Sequence, residues 1–355
     1  MPSLFQPLQA GAFLLPNRIV MAPLTRTRAT ADTRVPVPMM AEYYRQRASA
    51  GLIISEATSV DAMGVGYPRT PGIWSDEQVE GWKPVTKAVH DAGGRILLQL
   101  WHVGRISDPV YLNGATPVSA SAMQPGGHVN LVRPERPFVT PRALETDEIQ
   151  GIVAAYKQGA ENAKKAGFDG VEVHGANGYL LDQFLQDSVN KRTDRYGGSI
   201  ENRARLMLEV VDAAIDVWGA DLVGLHLAPR ADSHSMGDST RLATFTYVAK
   251  EMGKRKLAFL CAREARKDDS IGPQLKEAFG GVYIVNEAFD KASAERALAD
   301  GVADAVAFGK PFISNPDLVE RLRTNAPLNP FDASTFYAPG PEGYTDYPAL
   351  EAVTA

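Results

Sequence analysis

The chain has 355 residues and a mass of 38.4 kDa, the size of one large α/β barrel or of two ordinary domains. Hydrophobic residues make up 45% and charged residues 22%, with 31 Gly and 24 Pro, a composition that excludes a disordered, collagenous or low-complexity chain. The net charge of −5 and pI near 5.8 argue against nucleic-acid and polybasic membrane partners and leave a small molecule as the expected one.

Met1-Pro2-Ser3-Leu4 begins the chain without a basic stretch leading into an apolar one, and no later run reaches about 18 apolar residues, so no membrane span is expected. The lone Cys261 cannot form an intrachain disulfide or a cysteine-based metal cluster, which fits a reducing, cytoplasmic setting. Short β-branched runs alternate with segments of helical period. The runs predict strands at 18–21, 52–57, 95–100, 170–174, 222–227, 257–262, 282–285 and 305–308. The clearest helices are expected at 76–92, 146–166, 199–218, 291–300 and 315–324, several opening on Ser, Thr, Asn or Asp.

Eight βα units in sequence, with no Gly-rich dinucleotide fingerprint after the first strand, predict a single-domain (β/α)8 TIM barrel over residues 1–355. Residues 3–14 read as an N-terminal cap. The long loop after strand 3, residues 101–142, is rich in Pro, Gly and Ser and reads as a lid that shapes the active site.

Barrel chemistry lies at the C-terminal strand ends, and unusual residues gather there. In strand order they are Pro23, Leu24 and Thr25; Ala57; Gln99 and Trp101; His174, Asn177 and Tyr179; His226; Asn286; and Gly309 with Lys310. Small residues and a lysine after strands seven and eight point to a phosphate-bearing ligand. From the residues alone three readings compete: a phosphate-bearing cofactor enzyme, a metal hydrolase using His102, His174 and His226, and a non-catalytic binding barrel. Few carboxylates accompany the histidines, which disfavours the hydrolase and leaves no metal expected.

Four stretches resemble the Old Yellow Enzyme family of FMN-dependent ene-reductases. They are Asn17-Arg18-Ile19-Val20-Met21-Ala22-Pro23-Leu24-Thr25-Arg26, Gln99-Leu100-Trp101-His102-Val103-Gly104-Arg105, His174-Gly175-Ala176-Asn177-Gly178-Tyr179 and Asn190 to Arg203. The C-terminal stretches Phe308 to Leu318, Phe336-Tyr337 and Glu342 to Pro348 are similar to the bacterial branch of N-ethylmaleimide and nitrate-ester reductases.

The resemblance implies tightly but non-covalently bound FMN, reduced by NADPH or NADH and reoxidised by an α,β-unsaturated carbonyl compound in a ping-pong cycle. Nitro compounds and nitrate esters are the alternative oxidants. It implies that His174 and Asn177 hold the substrate oxygen and that Tyr179 protonates the product, with Tyr67, Trp101 and Tyr337 as aromatic lining. Thr25 contacts both flavin and substrate, while Pro23, Leu24, Ala57, Gln99, His226, Asn286, Gly309 and Lys310 contact the cofactor. Residues 192–203 are expected to be scaffold, and Cys261 an inert member of strand six.

Three positions depart from the family pattern. His226 stands where the family usually has an arginine, so its charge is expected to titrate near the ordinary histidine pKa of about 6.5, with Arg230 reaching back to the flavin as the rival cation. Lys310 replaces a guanidinium fork by a point charge. Glu287 would be unfavourable beside a phosphate unless it points away.

Overall fold

The computed structural model describes residues 2–230, 233–264 and 269–350. Eight parallel strands close on themselves: β1 (Ile19–Met21), β2 (Leu52–Ile54), β3 (Ile96–Trp101), β4 (Gly170–His174), β5 (Val223–Leu227), β6 (Phe259–Arg263), β7 (Tyr283–Asn286) and β8 (Ala305–Phe308). Each pairs with the next, and β8 pairs with β1 through Phe308 and Met21, so no edge is left open. This is the expected (β/α)8 TIM barrel. β4 and β8 keep their expected bounds, and the ends of the other strands differ from expectation by at most three residues. The shift that matters is in β6, which begins two residues late and runs on to Arg263, paired in register with Asn286.

Alternate strand residues divide two cores. Val20, Leu52, Leu97, Phe259, Cys261 and Ala307 fill the barrel interior together with Ala10, Phe13 and Leu15, which come from a hairpin of Leu8–Ala10 and Phe13–Leu15. The expected N-terminal cap is therefore a plug that completes the interior at the strands' N-terminal end. Gly224 makes room for the Phe259 ring, since a Cβ there would lie 2.2 Å from that ring's Cζ. The second core packs the opposite strand faces against helices α1 (Pro38–Gln46), α2 (Asp76–Asp91), α3 (Ile149–Lys165), α4 (Leu180–Leu185), α5 (Ile200–Trp218), α6 (Arg241–Arg255), α7 (Gly272–Phe279), α8 (Lys291–Ala299), α9 (Lys310–Ser314) and α10 (Leu318–Thr324). Local chemistry sets several starts: Ser75 and Gln78 form a capping box on α2, Ser199 caps α5, and Asp290 with Ser293 caps α8. No helix among the described residues is long and apolar enough to cross a membrane.

Two further segments meet the C-terminal end of the barrel. The long loop after β3 is pinned by Arg105, which donates to the Met123 and His234 carbonyls, and by Arg192, which donates to the Ala120 and Leu144 carbonyls. A strap, residues 333–348, is hooked from below by guanidinium groups. Arg26 donates to the Phe336 and Gly343 carbonyls, Arg28 to those of Phe336 and Thr335, and Tyr344 stacks on Tyr43 with ring centroids 4.1 Å apart.

Candidate active site

A cavity of about 980 Å³ opens at the C-terminal ends of the strands. The structure brings every expected site residue to it: Pro23, Leu24, Thr25, Ala57, Tyr67, Gln99, Trp101, His174, Asn177, Tyr179, His226, Asn286, Gly309, Lys310 and Tyr337. His102 does not line it; burial pushes that imidazole down to about 4, and its Nδ1 accepts from the Gly104 N–H.

A tight turn after β4 builds one wall. Asn177 and Gly178 both take left-handed backbone, with φ of 59° and 77°, which Asn tolerates and Gly accepts freely. The turn puts Asn177 over the mouth and returns the chain so that Tyr179 starts α4. His174 is buried, and burial, the nearby His226 and Arg263 hold its pKa well below 6.5. Its Nδ1 accepts from the Ala176 N–H at 3.3 Å, so the neutral ring carries its proton on Nε2. Asn177 gives its Oδ1 to Arg263 at 3.0 Å, leaving its amide hydrogens for another partner. Burial raises the Tyr179 phenol to about 12, partly opposed by a hydrogen bond with Tyr67, the two oxygens standing 2.8 Å apart.

Trp101 is the centre of the aromatic lining. It lies edge-on to Tyr179, with centroids 5.0 Å apart, and tilted against Tyr67 at 5.5 Å. Tyr337 comes from the strap, where the Thr27 hydroxyl donates to its carbonyl at 3.0 Å. Here one expectation is corrected. Of the long loop after β3, only Trp101 lines the cavity; residues 102–142 buttress it from outside, Val103, Ile106, Val129 and Phe138 packing as a small cluster behind Trp101. The outer wall is supplied instead by Leu328, Phe331, Phe336 and Tyr337.

The floor carries a buried polar group that the strand-end reading missed. Glu172, two residues before His174 and on the same side of β4, accepts from Gln99 Nε2 at 2.6 Å and stands 3.5 Å from His226 Nδ1. Burial opposes a charge on His226, but the Cys261 sulfur and the Glu172 carboxylate prevail and raise it to about 10. Burial also raises the Cys261 thiol. The expectation that His226 titrates near 6.5 is thus corrected. Arg230 does not reach back: it is paired with Glu264 and Asp269, both at 2.7 Å, and does not line the cavity. Cys261 does sit buried in β6, but its sulfur lies within 4.8 Å of ligand atoms of Glu172 and His226.

At the far end, Asn286 donates its amide to the Ala307 carbonyl, tying β7 to β8, and Gly309 leads into α9, which begins at Lys310. Glu287 points to Arg263, with carboxylate and guanidinium 2.5 Å apart. Its carboxylate is therefore compensated rather than left facing an anion. Arg263 lines the cavity and was absent from the expected set. Its signal was present as a cation of inward parity two residues beyond Cys261, hidden by ending strand six at Ala262.

Residues 3–329 match the family model described as the NADH:flavin oxidoreductase / NADH oxidase family. The chain belongs to that family. It is an NAD(P)H-dependent flavin oxidoreductase of the Old Yellow Enzyme type. Among solved structures it is similar to morphinone reductase in complex with tetrahydroNAD, with 50% identity, a TM-score of 0.96 and coverage of 100% of this chain and 99% of that one. The old yellow enzyme homologue from Zymomonas mobilis is 46% identical, with a TM-score of 0.96 over 98% of this chain and 100% of its own. Curated relatives include a putative 12-oxophytodienoate reductase 11 of Oryza sativa subsp. japonica, 44% identical over 98% of this chain and 97% of that protein. Arabidopsis thaliana 12-oxophytodienoate reductase 2 is 43% identical over 98% and 96%. Likeness to the plant reductases also runs over nearly the whole chain, so the expected placement in the N-ethylmaleimide and nitrate-ester branch is not singled out.

This flavin oxidoreductase has a floor suited to FMN. The Trp101 indole N–H is buried without a hydrogen-bond partner, and the His226 ring has only the long 3.5 Å approach to Glu172 at Nδ1; buried polar atoms left so call for a ligand. Lys310 lines the opposite end of the same cavity.

Proposed function

We propose that this enzyme reduces the C=C bond of α,β-unsaturated carbonyl compounds, with the nicotinamide and the alkene visiting one cavity in turn. The observation that carries the reading is the convergence of a neutral His174, proton on Nε2, and an Asn177 amide whose oxygen is already taken, beside the Tyr179 phenol.

Thr25, Gln99 and His226 would hold the ring system of FMN on the floor, Pro23, Leu24 and Ala57 would flank it, and Asn286, Gly309 and Lys310 would meet its phosphate. When bound, FMN would supply the hydride chemistry between the nicotinamide and the β-carbon of the alkene. The rest falls to the chain. As the β-carbon gains its hydride, negative charge moves to the carbonyl oxygen, where the N–H groups of His174 and Asn177 offset it; one such donor is worth about 10²–10³ in rate. Tyr179, protonated throughout the neutral range, gives its proton to the α-carbon and completes addition of H₂ across the bond. The Tyr67 hydroxyl, within hydrogen-bond reach of Tyr179, then supports the phenolate until solvent restores the proton. Trp101, Tyr67 and Tyr337 bound the space left for substrate.

An anaerobic absorbance experiment tests the reading. Addition of NADPH or NADH should bleach the flavin bands, and 2-cyclohexen-1-one should restore them with formation of cyclohexanone. Bleaching that is reversed by a nitro compound or nitrate ester and not by the enone would replace the alkene as the oxidant. A protein that binds no FMN on reconstitution would overturn it.

A further inference from the structure

Arg263 ends β6 with its guanidinium at the mouth of the barrel, where the side chain is 42% exposed. One edge of the fork is occupied by Glu287: Nε lies 2.5 Å from one carboxylate oxygen, and a terminal nitrogen donates to the other at 3.2 Å. The remaining terminal nitrogen donates to Asn177 Oδ1 at 3.0 Å. A guanidinium has five N–H donors and no acceptor, so the Asn177 atom facing it must be the oxygen. That chemistry fixes which way the amide lies, without appeal to how oxygen and nitrogen are assigned.

We propose that Arg263, held by Glu287, is a positioning residue that orients the Asn177 amide so that its N–H groups face the substrate oxygen. The inference rests on the reading of Asn177 as a donor to that oxygen. An untethered primary amide offers its oxygen as readily as its nitrogen, and an oxygen turned inward would repel the charge that gathers on the substrate carbonyl. The tether crosses three barrel connections, from the turn after β4 to the end of β6 to the loop after β7. Glu287 reaches it from a backbone with φ of 98°, followed by Ala288 at 58°, a conformation that aims the carboxylate at Arg263. Nothing in the tether needs to touch substrate.

The test compares the FMN-loaded wild type with Arg263→Met, Asn177→Ala, the double variant and Arg263→Lys. Two quantities are read: the Kd of cyclohexanone from its perturbation of the oxidised flavin spectrum, and the rate at which 2-cyclohexen-1-one reoxidises the reduced protein. Arg263→Met should weaken cyclohexanone binding and slow reoxidation by about tenfold, the size of one misdirected hydrogen bond. Asn177→Ala should lose at least as much, and the double variant no more than Asn177→Ala alone, because Arg263 acts through Asn177. Arg263→Lys, whose single ammonium cannot serve both partners as the fork does, should fall between wild type and Arg263→Met. Should Arg263→Met fail to fold, the Lys variant alone and with Asn177→Ala carries the same comparison. Losses that multiply in the double variant, or wild-type values for Arg263→Met beside a damaged Asn177→Ala, would overturn the inference while leaving the proposed function standing. Wild-type values for Asn177→Ala would overturn the donor role itself, and the tether with it.

Discussion

The phenolic oxygens of Tyr67 and Tyr179 lie 2.8 Å apart, and the Trp101 ring contacts both side chains. The hydrogen bond works in opposite directions on its members: it lowers the Tyr179 pKa and raises that of Tyr67, so Tyr67 is the donor when Tyr179 ionises. Tyr67→Phe should raise Tyr179 further and slow product protonation by about tenfold, the rate equivalent of one ordinary hydrogen bond. Stopped-flow reoxidation with a solvent isotope effect checks this: the effect should grow in the variant, and an unchanged rate would remove Tyr67 from the proton path.

His226 gives a stability signature with a definite sign. Its pKa is raised from 6.5 to about 10 in the folded protein, so the stabilisation it contributes is complete below about 6.5 and disappears as the pH rises through about 10. Thermal melting of wild type and His226→Gln should therefore differ most in mild acid and converge in alkali. The midpoint potential of bound flavin should likewise show no His226 inflection near neutrality. Curves that instead cross over near 6.5 would restore an ordinary histidine.

Lys310's ammonium sits 5.8 Å from the Phe331 ring centroid. A flexible point charge holds a phosphate less tightly than a fork. Lys310→Ala should accelerate FMN loss on dialysis by about tenfold, and Lys310→Arg should slow it, as read from retained flavin fluorescence on denaturation. Equal retention in all three proteins would move the phosphate elsewhere.

Gly178 tests the turn that aims Asn177. It has φ of 77°, and a Cβ there would approach Met236 Cγ to 2.8 Å. Gly178→Ala should cost about 1–3 kcal/mol in stability, the expense of a left-handed non-glycine residue, and weaken enone turnover together with it. Unaltered melting would mean that the turn relaxes freely.

The barrel and most of its mouth are legible in the chain because parallel strands buried on both faces read as apolar runs, and inward residues at their C-terminal ends stand out as polar exceptions. Gly170–His174 and Ala305–Phe308 match their expected limits for this reason. What could not be read depends on packing between distant segments. Glu172 looks like an interruption of β4 until Gln99 and His226 are seen to converge on it. The loop after β3 looks like a lid because length and Pro-Gly content are local, whereas its distance from the cavity is set by where Arg105 and Arg192 fasten it. The strap gave no periodic signal at all; its course is dictated by arginines some 300 positions earlier, as in the pairing of Arg28 with the Thr335 carbonyl.

Those arginines hydrogen-bond the strap through its main-chain carbonyls, and their guanidinium groups also lie over the Tyr344 ring. Arg26, Arg28 and Arg47 grip the carbonyls of Thr335, Phe336, Gly343 and Tyr344, while Thr27 takes that of Tyr337. Fastening is thereby separated from lettering. The Tyr337 side chain can be exchanged for others without disturbing these carbonyl contacts, whereas the buried Tyr344 ring, stacked on Tyr43, belongs to the fastening. A strap grafted onto another barrel will seat only where guanidinium groups already wait in the loop after the first strand. For remodelling the cavity, residues 26–28 and 333–347 form one transferable cassette together with Tyr43 and Arg47, in which Tyr337 is replaceable and Tyr344 is part of the clasp.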